Sequence, residues 1–140
     1  MERLPQLQKL SNDHHRGLVL ARRVKQSMAV DETATDALRS QILEEFEKVL
    51  AKHFDLEEKF LVPPLRRAGR SGLVDRLLSD HTAIRTIIDR ERKMTPAEVR
   101  ALGNLLEEHI RFEEREFFEE AQRILNDNDL KALADAIALG

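Results

Sequence analysis

A chain of 140 residues, 41% hydrophobic and 35% charged, is long enough for one packed domain over residues 1–140 and needs no disulfide or structural metal to hold its core. It has no cysteine, which excludes disulfides, zinc thiolate sites and iron–sulfur clusters, so any bound metal must rest on imidazole and carboxylate. A formal charge of −3 with both signs interspersed, and no basic cluster flanked by aromatics, excludes a nucleic-acid surface as the main business; with no apolar leader and no run long enough to span a membrane, the expected location is cytoplasmic.

Five glycines and four prolines among abundant Leu, Ala, Glu and Arg predict an all-α chain. The first helix is expected from about Pro5 to Met28, with Leu7, Leu10, His14, Leu18, Ala21, Val24 and Met28 spaced by three and four. Residues 30–35 should break it. A second helix from about Asp36 carries Leu38, Ile42, Phe46, Val49, His53, Leu56 and Phe60 on one face and is expected to end before Pro63-Pro64. Gly69 and Gly72 bracket the next loop, and Ser71 is the expected N-cap of a third helix with the stripe Val74, Leu77, His81, Ile84 and Ile88. Thr95-Pro96-Ala97-Glu98 combines a capping box with proline at the first helical position, which starts a fourth helix carrying Val99, Leu102, Leu106, His109, Phe112, Glu113, Phe117 and Ile124. Asn126 to Asp129 should stop it, leaving Leu130–Leu139 as a short terminal helix on one end of the fold. The expected architecture is an antiparallel up-down-up-down four-helix bundle with a short C-terminal helix.

Each of the four long helices carries one histidine at the centre of its apolar stripe. The halves also repeat: Asp13-His14 matches Asp80-His81, and His53-x-x-x-Glu57-Glu58 matches His109-x-x-x-Glu113-Glu114. Residues at i and i+4 lie one above the other on a helix, so each His-x-x-x-Glu pair offers two donors on one face. Counting depth from the interhelical turns at about 1.5 Å per residue puts the two histidine pairs within about one helical turn of each other, so all four can share a layer. Four imidazoles and two carboxylates in a core need a cation to satisfy them, and six such donors suit two metal ions bridged by carboxylates. A mixed nitrogen and oxygen set without sulfur favours iron, with manganese or zinc as alternatives. The other di-iron bundle pattern, Glu-x-x-His on two helices, is absent.

The set His14, His53-x-x-x-Glu57, His81 and His109-x-x-x-Glu113 resembles the hemerythrin-like family, the HHE cation-binding domain, over about residues 7–125. The resemblance implies a non-haem centre of two iron ions, oxo- or carboxylate-bridged, held by His14, His53, Glu57, His81, His109 and Glu113. It also implies that the partner is a small molecule such as O2, peroxide or nitric oxide, with no nucleic acid or membrane, in a monomer or weak dimer. Oxygen-carrying hemerythrins have His-x-x-x-His on the third helix, whereas Arg85 stands four residues after His81 here, and the last motif ends in glutamate at i+4 rather than aspartate at i+5. The missing imidazole opens a coordination position, which favours reaction or sensing over reversible carriage. The alternative from another class is a metal- or redox-responsive regulatory or interaction module without turnover, zinc-loaded in one version.

Residues beside the donors carry two readings each. Glu58 and Glu114 lie about 100° around the helix, as solvated carboxylates or as acceptors for a histidine's other ring nitrogen. Asp13 and Asp80 face solvent or orient a neighbour. Arg85 either reaches solvent or a carboxylate, or closes the pocket over a bound anion. His15 lies to the side of the stripe that centres on His14. Phe46, Phe60, Phe112 and Phe117 are expected in the core, and most of the acidic run from Glu107 to Glu120 on a solvated face.

Overall fold

The computed structural model describes residues 2–27, 32–89 and 91–140, without the side chains of 27 and 32–34. Five helical rods account for nearly all of them. The rod α1 is Pro5–Ser27; α2 runs over 32–67, α3 is Ser71–Ile87, α4 runs over 96–124, and α5 is Asp127–Leu139. Met28 and the start of the expected break at 30–31 lie outside the described residues; α2 already begins at Glu32, four residues earlier than the stripe alone suggests.

Two of the rods are not uniform α-helix. In α2, π-helical turns at Phe46–Leu50 and Glu57–Leu61 interrupt the α-helical stretches, and α4 has one at Glu113–Phe117. The expected stop before Pro63-Pro64 is corrected: Val62–Arg67 is helical, with the prolines in its first turn. Proline lacks an amide donor, so it breaks a continuous ladder but fits a freshly started one, and the π turn ending at Leu61 is where the ladder restarts. The buried stripe also moves on by one residue there: Leu61 and Val62 are buried where Phe60 was expected.

The rod ends at Gly69, whose φ of +79° an L side chain would resist. Its amide bonds to Arg66 O and that of Arg70 to Leu65 O, so two orphan carbonyls of the last turn are satisfied. Gly72 and Ser71 belong to the first turn of α3, and Arg70 rather than Ser71 occupies the cap, with no side-chain cap bond. The Thr95 capping box is present in full: Glu98 N donates to Thr95 Oγ1 at 3.1 Å and Thr95 N to Glu98 Oε1 at 3.0 Å. Asn126 and Asp129 build a second one at the start of α5.

Burial divides the core in two. One apolar cluster joins the start of α1 (Leu7, Leu10), the end of α2 (Leu61, Leu65) and Leu77 of α3 to the end of α4 and Leu133 of α5. The other joins Leu20 and Val24 to Ile42, Leu50, Ile84 and Leu102. Phe112 and Phe117 are buried as expected, Phe46 and Phe60 only partly, and the aromatics fully inside are Phe54, Phe117 and Phe118. Among the described residues no helix is long and apolar enough to cross a membrane.

Candidate metal centre

Between the two apolar clusters lies a set of buried polar residues. His14, His53, Glu57, His81, His109 and Glu113 are each at most 4% exposed. His15, next to His14, is exposed. The i, i+4 spacing works as expected on α2, where His53 Nε2 lies 3.1 Å from Glu57 Oε2, and on α4, where His109 Nε2 faces Glu113 Oε1.

The two glutamates each turn one oxygen to either side. Glu113 Oε2 is 3.0 Å from His14 Nε2 and 3.4 Å from His53 Nε2, while its Oε1 faces His109 Nε2 and lies 3.8 Å from His81 Nε2. Glu57 does the same, with Oε2 towards His53 and Oε1 3.1 Å from His81 Nε2. Two donor groups result, His14/His53/Glu57/Glu113 and His81/His109/Glu57/Glu113, each with its donor atoms within 4.8 Å of one another. Both carboxylates belong to both groups.

The donor atoms fit a cation better than they fit each other. Both oxygens of Glu57, Glu113 Oε1, and Nε2 of His81 and His109 are buried with no hydrogen-bond partner, although opposite groups face each other closely, as His81 Nε2 and Glu57 Oε1 do at 3.1 Å. Short separations without hydrogen-bond alignment mean that these atoms converge on shared points rather than on one another. Buried polar atoms are rarely left this way, and orphaned carboxylates are the costliest of them.

The other face of every imidazole is fully engaged. His53 Nδ1 meets Asp13 Oδ2 at 3.1 Å, His14 Nδ1 meets Glu114 Oε2 at 3.1 Å, His81 Nδ1 meets Glu58 Oε2 at 2.6 Å, and His109 Nδ1 meets Asp80 Oδ2 at 2.9 Å. A carboxylate at Nδ1 holds a ring proton there, which leaves Nε2 as the nitrogen directed inward, where a cation can displace its proton. The helix repeat explains the pattern: the aspartate before the histidine on α1 or α3 serves the histidine of the next rod. Asp13 and Asp80 thus orient neighbours, and Glu58 and Glu114 are acceptors rather than solvated carboxylates. Arg85 turns outward to Glu58 at 2.7 Å, the carboxylate-pairing alternative.

Charge follows the same geometry. Burial alone would lower the imidazole pKa values, but the Glu113 charge lifts that of His14, Glu57 that of His53, and the nearby Glu113 and Glu57 carboxylates that of His81. His109, whose burial is outweighed by the charge of Glu113 and the bond to Asp80, is pushed up to about 10. Burial opposes ionisation of Glu113 too, yet His109 and His14 hold its carboxyl well below the usual range.

The profile of the hemerythrin HHE cation-binding domain matches residues 5–121. The chain belongs to that family. No curated protein and no solved structure gives a significant match to it. As a hemerythrin-family chain it is a cation-binding domain, and its buried His/Glu clusters are compatible with that role. Lys9, which donates to Asp13 at 2.9 Å, Arg3, which pairs with Glu114, and Phe54 and Phe118, which stack on His81 and His14, carry no periodic signal, although Phe54 and Phe118 stand directly after the expected stripe residues His53 and Phe117.

Proposed function

We propose that this chain is a di-iron protein of the hemerythrin type, with one ion held by His14 and His53, the other by His81 and His109, and Glu57 and Glu113 shared by both. The observation that carries the reading is the pair of four-donor groups with common carboxylates and unsatisfied inward atoms. We place these donors in a single domain with up-down-up-down topology, since the apolar clusters pair the starts of α1 and α3 with the ends of α2 and α4. The same reading makes the chain a cytoplasmic monomer or weak dimer whose partner is a small molecule, not a nucleic acid or a membrane.

Iron bound there supplies one-electron redox chemistry and coordination positions for O2, peroxide or nitric oxide. The protein's part is to fix and to exclude. Asp13, Glu58, Asp80 and Glu114 keep a proton on each Nδ1, so every Nε2 is presented as a donor. Glu57 and Glu113 tie the two halves together at a set separation. Phe54, stacked on His81 with ring centroids 3.8 Å apart, and Phe118, stacked on His14 at 5.2 Å, keep water from the imidazole faces. Four protein donors per ion are fewer than iron commonly takes, which leaves room for the small molecule and supports reaction or sensing over storage.

The test is metal analysis and visible spectroscopy of protein purified from its own host. Two irons per chain with ferric absorption are expected, the ion of the His14/His53 group lost on His53→Ala and both lost on Glu113→Ala. A full complement of metal in both variants would overturn the ligand assignment, and two zinc ions with no visible absorption would overturn the redox reading. Reduced protein that took up and released oxygen reversibly, while consuming neither peroxide nor nitric oxide, would be a carrier instead.

A further inference from the structure

Two arginines, Arg3 just before the start of α1 and Arg85 near the end of α3, reach the centre in a similar way. Arg85 Nη1 lies 2.7 Å from Glu58 Oε2, the oxygen that takes the His81 Nδ1 proton at 2.6 Å. Its guanidinium also lies over the Phe54 ring, 5.3 Å from the centroid, and Phe54 is stacked on His81 at an interplanar angle of 13°. Arginine, carboxylate, histidine and phenylalanine therefore close a ring of contacts.

Arg3 closes the matching ring on the other side. Its guanidinium is 3.5 Å from Glu114 Oε1 and 5.4 Å from the centroid of Phe118, while Glu114 bonds His14 Nδ1 and Phe118 stacks on His14 at 9°. The helix repeat does not generate this symmetry, because Arg85 follows its histidine by four residues and Arg3 precedes its own by eleven. Each ring grips one histidine of one donor group, on the edge through the carboxylate and on the face through the aromatic. A planar cation that stacks and donates at once suits both positions, and lysine supplies a compact charge and donor without the planar fork.

We propose that Arg85 and Arg3 are positioning residues of the metal centre, each fixing the histidine of one donor group, so that the two ions can be loosened separately from the surface. The proposal rests on the two-ion reading above. Arg85 holds its carboxylate more closely than Arg3 does, so its removal has the larger effect.

The experiment is a titration of the metal-free full-length chain with cobalt(II), following the ligand-field absorption, with His81→Ala and His14→Ala marking which binding step belongs to which group. Arg85→Leu is expected to weaken the step that His81→Ala abolishes by about 10–100-fold, with altered band positions, and to leave the other step in place. Arg3→Leu is expected to do the reverse more weakly, and Arg85→Lys to recover only part of the loss. Unchanged steps in Arg85→Leu and Arg3→Leu, equal weakening of both steps, or full recovery with lysine would overturn the positioning role while two bound ions in the wild-type chain leave the metal reading intact. Fewer than two ions in the wild type would overturn that reading and the proposal together.

Discussion

Each imidazole of the centre stands between an inner and an outer carboxylate, and this residue-scale unit explains which parts were readable in advance. His14, His53, His81, His109, Glu57 and Glu113 declare themselves because a polar residue centred on an apolar stripe, and another at i+4, is a periodic fact. The outer carboxylates are not periodic facts. Glu58 and Glu114 look solvated on their own helices and become acceptors only when the neighbouring rod brings a ring nitrogen to them. Packing at this scale makes its own prediction at Gly17, where an added Cβ would stand 2.8 Å from Ile110 Cδ1. Gly17→Leu is expected to destabilise the chain by about 1–3 kcal/mol through overpacking, and part of that cost should vanish when Ile110→Ala makes room. Urea unfolding of both single variants and the double variant measures this; strictly additive costs would show that the two side chains do not compete for the space.

At the level of elements the start of α4 was legible because its capping chemistry is local, the Thr95–Glu98 box, whereas α2 and α5 begin earlier than their stripes suggest and Arg70 takes the cap expected of Ser71. The π turns were not legible, since a turn of i to i+5 bonding follows from what the rod packs against rather than from its own composition. Two of the three begin at Glu57 and Glu113, and the first of these, which directly precedes the Pro63-Pro64 stretch, explains why a rule that forbids proline in mid-helix misplaced the end of α2. Glu98 offers a pH test of the fourth rod's start. Arg92, which donates to it at 2.7 Å, and the Thr95 amide hold its carboxyl down to about 2. A lowered folded-state pKa stabilises the fold above the ordinary carboxylate value of 4.5, and that contribution is lost as pH falls towards about 2. The melting-temperature advantage of the wild type over Glu98→Gln, which keeps the acceptor but not the charge, should therefore shrink from about pH 6 to about pH 3. An advantage that stayed constant over that range would mean that the charge contributes nothing there.

On the scale of the whole molecule, the apolar core is two clusters with the donor layer between them. Ligands that bind only the folded state raise its stability, by about 2.7 kcal/mol at a free concentration of 100 times Kd. Iron(II) or zinc(II) should accordingly raise the melting temperature of the metal-free chain, and a chelator should return it; a temperature that ignores both would mean that no ion occupies the layer. The divided core carries a consequence for cooperativity. Apolar clusters separated by a layer of buried polar groups share less of the burial that makes a small domain unfold as one unit. Metal-free protein should therefore exchange its amide hydrogens in two blocks, the end containing α5 apart from the end containing the start of α4, and the bound ions would merge those blocks into one.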